Sequence, residues 1–247
     1  KGNAEGRVLE TLAPGACERR ESLCPAVGVC GGCLYQTLPY AEELKLKEQL
    51  LQRLLGEAIG EDFLWEGLTA SPRENAYRMK MEYSFGDAYR NGPLTLGMHK
   101  RGSHYDIVET DRCELVHEDL NLALRETLRF FRERKVQFYH KLRHEGYLRF
   151  LLARRGTHRK ELLLDLVTSS QLPTEEEREL LRAWRELMCS LPFEASLKGL
   201  LHTVTDSVAD AVKNERTEVL FGEAQFEEEL SGLRFAITPF SFFQNNA

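Results

Sequence analysis

Three cysteines fall within ten residues near the start of this chain, in the stretch CPAVGVCGGCLYQ at residues 24 to 36. Five residues separate Cys24 from Cys30, and two glycines separate Cys30 from Cys33. Such spacing lets a tight turn aim several thiolates at one point, as in zinc ribbons and iron–sulfur loops. The glycines also let backbone N–H groups approach sulfur and stabilise its negative charge. The stretch therefore predicts a metal or cluster site around which the chain must fold.

A fourth ligand has to come from elsewhere in the chain. The candidates are a histidine or one of the remaining cysteines, Cys17, Cys113 and Cys189. Cys189 lies among apolar residues late in a predicted helix, which favours a buried thiol. Cys113 lies in a loop between a predicted strand and a predicted helix, and we expect it to be the fourth ligand. Spacing alone leaves Zn²⁺ and a [4Fe–4S] cluster open, with unligated reduced cysteines as a third alternative.

Composition indicates a soluble globular protein, since 42% of the 247 residues are hydrophobic and 29% are charged. No apolar run approaches the roughly 20 residues that span a bilayer, which excludes a membrane protein. The first ten residues lack the apolar segment of a secretion signal. We therefore expect a cytoplasmic protein with reduced thiols, which disfavours disulfides. No obligate protein partner is evident from the sequence.

The net charge of −6 is unevenly distributed. Residues 125 to 160 contain twelve Lys or Arg and three Asp or Glu, and aromatic residues are interleaved with them. Such a basic block can bind a polyanion such as RNA. It can equally form the solvated faces of a helix and a strand.

Hydrophobic periodicity predicts clusters of strands with three helices between them. The helices are expected at residues 40–55, at 117–135, and from Thr174, where Thr174 and Glu177 match a capping box. The strands are expected at residues 5–12, 77–87, 94–102, 105–110, 147–155, 161–169, 196–204, 217–222 and 233–238, with a hairpin joining the fifth and sixth. The predicted fold class is α+β with a mainly antiparallel sheet, about three helices and a four-cysteine site. No glycine-rich phosphate loop appears.

The cysteine spacing C-x5-C-G-G-C, followed by Gln36, Tyr40 and a helix rich in Lys, Gln and Leu, resembles the cluster loop of uracil-5 RNA methyltransferases. These are S-adenosylmethionine-dependent enzymes of the bacterial 23S ribosomal RNA type. Four further stretches agree in order: YRMKMEYSFG, LGMHKRGSHYDIVETDRCELVHEDLN, LLARRGTHRKELLLDLVT and SLKGLLHTV. EVLFGEAQFEEELSGLRFAITPFSFFQNN resembles the passage that leads into the family's catalytic domain. The resemblance therefore covers nearly the whole chain.

The resemblance implies cofactors and site residues. It implies a structural [4Fe–4S] cluster held by four thiols: Cys24, Cys30, Cys33 and Cys113. It implies that Gln244 binds S-adenosylmethionine and that Phe242 and Phe243 lie near the RNA or the uracil, although both can instead be core aromatics. The candidates for phosphate contact, each of which can also be ordinary surface charge, are Arg78, Lys80, Lys100, Arg101, Arg149, Arg154 and Arg155.

The resemblance also implies a domain organisation. Residues 1–15 would be the last strand of a TRAM-like β-barrel, 16–235 a central iron–sulfur and RNA-binding domain, and 236–247 the start of the methyltransferase domain. The catalytic Rossmann-like domain is then expected to be absent, with no catalytic residue in this chain.

The expected function is the RNA-recognition and cluster-bearing part of an enzyme that methylates C5 of a uridine in 23S ribosomal RNA, with this chain inactive by itself. Two alternatives stay open. One is a zinc- or cluster-stabilised RNA-binding module without catalysis, and the other is an electron-transfer iron–sulfur protein.

Overall fold

The computed structural model describes residues 6, 9–10, 12–13, 15–18, 21–60, 62–208 and 216–246. Within them the helices are α1 (Tyr40–Ile59), α2 (Glu118–Glu133) and α3 (Thr174–Ser190). The strands are β1 (Lys80–Asp87), β2 (Leu94–His99), β3 (Ile107–Glu109), β4 (Leu148–Arg155), β5 (Glu161–Thr168), β6 (Ser196–Val204), β7 (Arg216–Gly222), β8 (Phe226–Leu230) and β9 (Leu233–Ile237). Half of the predicted strand at residues 5–12 lies outside the described residues. No described helix is long and apolar enough to cross a membrane.

The chain divides into two compact units. The first combines Lys1–Ser22 with Leu34–Pro72 and contains α1. The second combines Leu23–Cys33 with Arg73–Ala247 and contains α2, α3 and every strand named above. The cysteine loop therefore belongs to the same unit as Cys113. The domain boundaries predicted at residues 15 and 235 stay predictions.

Helix α1 confirms the helix predicted at residues 40–55 and extends it by one turn. Its end is set by Gly60, which has a φ of 85° and donates its N–H to the carbonyl of Gly56. Glycine adopts this left-handed conformation without the steric cost that other residues meet. The helix buries no residue, and its leucines are largely open to solvent, with Leu51 and Leu55 42% and 37% exposed.

The second unit is built on a seven-stranded sheet with the order β3-β2-β1-β4-β5-β6-β7. Neighbouring strands are antiparallel except β5 and β6, which are parallel. A parallel pair needs a crossover connection, and α3 supplies it. Strand β5, helix α3 and strand β6 thus form one crossover unit. The sequence pattern predicted the helix and both strands but not that the two strands pair in parallel.

The two faces of the sheet are covered differently. Helices α2 and α3 pack on one face, where Phe131 and Trp184 are fully buried in the main core. The hairpin of β8 and β9 packs on the other face through Phe226 and Ile237. Strands β4 and β5 are buried on both faces, which explains the nearly continuous apolar sequence of β5, whereas β4 also buries three arginines. Strand β8 was not predicted, because its sequence FEEEL is mostly acidic.

The capping box predicted for α3 does not form. The residue that precedes the helix is Pro173, which offers no side-chain hydrogen bond. Glu177 instead accepts a hydrogen bond from the Tyr147 hydroxyl, with 3.0 Å between the oxygens. Glu177 therefore joins α3 to the beginning of β4 rather than capping its own helix.

Candidate functional site

The cysteine loop is anchored to the end of β2 by backbone hydrogen bonds. Gly31 donates its N–H to the His99 carbonyl over 2.9 Å, and Arg101 donates its N–H to the Val29 carbonyl over 2.8 Å. A Cβ atom at Gly31 would meet the His99 oxygen at 3.2 Å, closer than most such contacts, so glycine suits this approach. The loop is thus fixed to the sheet next to Lys100.

Cys113 is held in the turn before α2 by a reciprocal pair of hydrogen bonds. Its N–H donates to Asn121 Oδ1, and its carbonyl accepts from Asn121 Nδ2, each over 3.2 Å. A further bond ties this turn to the cysteine loop, because the Leu23 N–H donates to Glu114 Oε1 over 2.6 Å. Leu23 and Glu114 are the sequence neighbours of Cys24 and Cys113, so the two cysteine-bearing segments meet here.

The four thiols lie close enough to feel one another's charge. Burial, together with negative charge on Cys113, Cys30 and Cys24, raises the pKa of Cys33 to about 11, against the opposing charge of Arg78. Burial also raises the pKa values of Cys24 and Cys113. Four thiolates in such a place repel one another, so a positively charged group is needed to stabilise all four together.

This donor set meets part of what a metal group requires. Four thiols near one another match the ligand type of zinc and iron–sulfur sites, and the described cysteines form no disulfide. Among the described residues, however, no three His, Cys, Asp or Glu side chains are arranged to hold a metal ion. Cys17 and Cys189 are exposed, so the prediction that Cys189 is buried is wrong.

Three arginines predicted to contact RNA are buried, with Arg149, Arg154 and Arg155 being 5%, 4% and 7% exposed. Arg149 donates to the carbonyls of Thr205 and Ser207, each over 2.7 Å. Its guanidinium therefore orders the chain after β6. In this conformation none of the three has the exposure that a phosphate contact requires.

Arg155 is engaged with a buried carboxylate. Its Nε lies 2.7 Å from Asp119 Oδ2, and the same carboxylate accepts the backbone N–H groups of Glu194 and Ala195. Burial raises the pKa of Asp119, but these hydrogen bonds and the nearby His117 outweigh that effect, and the pKa is lowered overall. The network joins the start of α2 to the end of β4 and the start of β6.

Arg154 holds the C-terminal segment against the sheet. Its Nε donates to the Pro239 carbonyl over 3.0 Å, and its Nη2 donates to the Ser241 carbonyl. Burial lowers the pKa of this guanidinium, which nevertheless stays cationic at neutral pH. A buried cation is thus compensated by two carbonyl oxygens of the segment that carries Gln244.

The C-terminal segment alternates between packed and exposed residues. Phe242 is 89% exposed and Gln244 is also exposed. Between them, Phe243 packs on Phe235 with 5.3 Å between ring centroids. Asn245 accepts a backbone hydrogen bond from Met79 over 2.8 Å. Phe243 therefore behaves as a core aromatic residue rather than one that faces the RNA, whereas Phe242 and Gln244 point outward.

Four of the residues predicted to contact phosphate are at least partly accessible to solvent. Arg78 and Lys80 are half-buried, with Arg78 Nε donating to the Lys80 carbonyl over 3.1 Å. Lys100 and Arg101 are exposed beside the cysteine loop, and Arg101 Nη2 donates to the Cys33 carbonyl over 2.6 Å. These four residues stay candidates for binding RNA.

Along its whole length the chain is similar to curated proteins named uncharacterized RNA methyltransferases. The identity is 43% with one from Caldanaerobacter subterraneus subsp. tengcongensis, 39% with one from Clostridium acetobutylicum and 38% with one from Clostridium tetani. The chain covers 53%, 52% and 53% of those proteins, so it spans about half their length. No protein-family model matches the chain.

The fold is similar to the crystal structure of Pyrococcus abyssi tRNA (uracil-54, C5)-methyltransferase in complex with S-adenosyl-L-homocysteine. The TM-score is 0.65 at 24% sequence identity, and the match covers 88% of this chain and 47% of the other. At this identity the likeness shows a shared fold.

The predicted fold class needs correction in the light of this match. It held the catalytic methyltransferase domain to be absent, whereas 88% of the chain matches a solved methyltransferase. The prediction of a mainly antiparallel sheet is confirmed, since only β5 and β6 pair in parallel, through the crossover that contains α3. The expectations that the catalytic domain is absent and that the chain is inactive by itself are therefore withdrawn.

Proposed function

We propose that the protein acts in the S-adenosylmethionine-dependent methylation of RNA at C5 of a uridine, with ribosomal RNA as the substrate class. The observation that carries the proposal is similarity over the whole chain to proteins named RNA methyltransferases, with 43% identity to one of them. The fold shared with a methyltransferase of known structure supports it further. A uracil in a single-stranded loop suits such an enzyme, because the base must leave its stack before it reacts.

The exposed residues of the C-terminal segment are proposed to meet the cofactor and the base. Gln244 offers an amide that can both donate and accept hydrogen bonds. Phe242 offers a ring on which an unstacked base can pack. Beside them, Asn245 Oδ1 is buried and has no hydrogen-bond partner among the described residues, as expected where a ligand donor approaches. S-adenosylmethionine supplies the methyl group when bound.

The four thiols are proposed to hold a [4Fe–4S] cluster. Such a group would neutralise the thiolates, including those of Cys24, Cys33 and Cys113, whose pKa values burial raises. Its role would be structural, since the ligands join the cysteine loop to the turn before α2. Lys100 and Arg101 then present positive charge to RNA beside this joint.

Methyl transfer tests the proposal directly. The full-length gene product is incubated with labelled S-adenosylmethionine and with ribosomal or transfer RNA transcripts, and the product nucleosides are identified by mass spectrometry. We expect 5-methyluridine, formed in ribosomal RNA. Gln244→Ala should raise KM for the cofactor roughly 10- to 100-fold, since a hydrogen bond to a charged ligand contributes about 1.5–3 kcal/mol.

Gln137→Ala is the matched control, because Gln137 is an exposed glutamine elsewhere in the second unit. Methylation of transfer RNA alone would change the substrate class but leave the reaction intact. Methylation of another atom, or none with any RNA, would overturn the proposed reaction. RNA binding without methyl transfer would instead favour a binding module.

A further inference from the structure

Two turns of the second unit lie side by side at the surface. One connects β2 to β3 at residues 100–106, and the other precedes β4 at residues 140–145. Lys141 Nζ donates a hydrogen bond to the His104 carbonyl over 3.4 Å, so the two turns are neighbours. The second turn belongs to the basic block at residues 125–160, and its cations Lys141 and Arg143 are separate from Arg154 of the same block, which holds the C-terminal segment.

The turn at residues 140–145 is well ordered by hydrogen bonds. His140 donates its N–H to the Glu145 carbonyl over 2.7 Å, and His144 donates its N–H to the His140 carbonyl over 2.8 Å. Gln171 Nε2 braces the turn from outside by donating to the His144 carbonyl over 2.8 Å. A turn fixed in this way loses little conformational entropy when it binds a partner.

The two turns carry more positive than negative charge. Their acids are Asp106 and Glu145, each 3.9 Å from a cation and each in a solvent-accessible pair. Such long pairs contribute little energy, so Lys100 and Arg143 are only weakly held by them. The four cations are Lys100, Arg101, Lys141 and Arg143.

An aromatic and an aliphatic side chain lie among these cations. Tyr105 is 55% exposed, and Leu142 at the tip of the second turn is 68% exposed. Cations with an exposed aromatic ring suit single-stranded RNA, because phosphates bind the charges while a base stacks on the ring. The surface therefore matches the two chemical features that a splayed RNA strand presents.

We propose that residues 100–106 and 140–145 form one surface, the paired-turn surface, that binds the phosphate backbone of the RNA substrate. The proposal rests on the proposed function, which supplies RNA as the polyanion. The paired-turn surface assigns a role to the exposed part of the basic block, whereas the arginines of β4 in the same block are buried.

Binding of a fluorescent, uridine-containing RNA hairpin, followed by anisotropy over a range of salt concentrations, tests the paired-turn surface. The variant Lys141→Glu/Arg143→Glu should bind about tenfold more weakly than the wild type. Its slope of log K against log salt should fall by about 1.4, since each phosphate contact to a single strand contributes about 0.7. Lys141→Gln/Arg143→Gln should show a smaller loss of RNA affinity. It replaces the charge-reversal variant in the test if that variant does not fold.

The matched control is Arg129→Glu/Arg178→Glu, which changes the net charge equally on two exposed helical arginines. This control should keep most of the binding and nearly the whole salt slope. Equal weakening in both reversals would show a general charge effect and overturn the paired-turn surface. If Lys141→Glu/Arg143→Glu and the control both keep the RNA affinity of the wild type, the paired-turn surface is overturned but the proposed function stays intact. A wild type that binds no RNA would overturn the RNA proposal itself, and the surface with it.

Discussion

Asp165 is a buried acid in the middle of β5 and allows a quantitative test of the fold. It is 1% exposed, and its neighbours on the flanking strands are Leu152 and Leu201. Its Oδ2 accepts a hydrogen bond from the Thr203 hydroxyl over 2.9 Å. Its Oδ1 has no hydrogen-bond partner among the described residues. Ionising this carboxyl group therefore places a poorly compensated charge inside the protein.

The effect on stability follows from the pKa. Burial raises the pKa of Asp165 to about 7, against the opposing hydrogen bonds from Thr203. An unfolded aspartate titrates near 3.9, and each pKa unit corresponds to about 1.4 kcal/mol. Because the folded state keeps a proton that the unfolded state loses, stability falls as pH rises from about 4 to about 7 and is then constant. The total contribution of this group to that fall is about 4 kcal/mol.

Asp165→Asn removes this titration. The amide cannot ionise, so the contribution of position 165 to the free energy of unfolding should no longer depend on pH. The unpartnered amide donor costs about 1–3 kcal/mol at every pH. We therefore expect the variant to be less stable than the wild type near pH 4 and more stable by about 1–3 kcal/mol near pH 8. The buried Trp184 supplies the fluorescence signal for denaturant unfolding at each pH.

The decisive quantity is the difference between wild type and variant in the free energy of unfolding at each pH. Other groups titrate in both proteins, so their effects cancel in this difference. Parallel curves for wild type and variant would show that the carboxylate is compensated, and would refute the reasoning. Asp206→Asn is a control of opposite sign, since hydrogen bonds from Ser170 lower the pKa of Asp206. That substitution should leave the fall between about pH 4 and 7 in place.

Three further predictions concern other positions. Asp119→Ala should destabilise the protein by about 3–5 kcal/mol in denaturant unfolding at neutral pH, because it leaves the buried Arg155 with only the more exposed Glu194 at 3.5 Å; a loss below about 1 kcal/mol would contradict the buried pair. Cys113→Ser should abolish iron incorporation in anaerobically purified protein, whereas Cys189→Ser should not, as measured by iron and acid-labile sulfide content; iron retained in the first variant would remove Cys113 from the ligand set. Gly56→Ala should raise helix content in circular dichroism and stabilise α1 by about 0.5–1 kcal/mol, since a methyl group there meets no atom within 4 Å; destabilisation would mean that the position needs glycine.

Periodicity predicted the three helices and most of the strands, because each has a regular apolar pattern, which α2, α3 and the central strands bury and α1 leaves exposed. The hairpin of β4 and β5 is confirmed, with Leu152 opposite Asp165. Strand β8 was not predicted because its sequence FEEEL shows no alternation of apolar and polar residues. The inward-facing position that an apolar residue would usually occupy holds Glu228, which is buried. The parallel pairing of β5 and β6 also escaped, since a strand pattern contains no information about its direction relative to a neighbour.

The candidate site was predictable to a different extent. Cysteine spacing predicted a ligand loop at residues 24–33 because three of its thiols are close in the sequence, and their role as ligands stays a prediction. The burial of Arg149 and Arg154 was missed, although both occupy an otherwise apolar strand, and that context is a signal that charge serves an internal contact. Charge counted along the sequence cannot separate these arginines from exposed ones such as Arg143, because exposure is decided by the tertiary fold.

One backbone stretch joins the cysteine group to the C-terminal segment. The charge of Arg78 acts on the thiol of Cys33. The next residue, Met79, donates its N–H to the Asn245 carbonyl over 2.8 Å and accepts the Arg155 N–H over 2.9 Å. Arg78 also donates its N–H to the Leu115 carbonyl over 2.8 Å, two residues after Cys113, so consecutive residues just before β1 contact the Cys113 turn and the segment that exposes Gln244.

A structural role for the thiols then has a consequence at a distance. If Cys113→Ser releases the cysteine loop, the start of β1 loses a support, and the segment with Gln244 loses its register. The affinity for S-adenosylmethionine, measured by calorimetry on the full-length gene product, should fall with this variant although no thiol touches Gln244. Cys189→Ser leaves these contacts in place and should keep the affinity. Unchanged affinity in Cys113→Ser would show that the cysteine loop does not influence the segment with Gln244. Coupling between them requires that a change at the thiols displaces residues 78 and 79, which contact both.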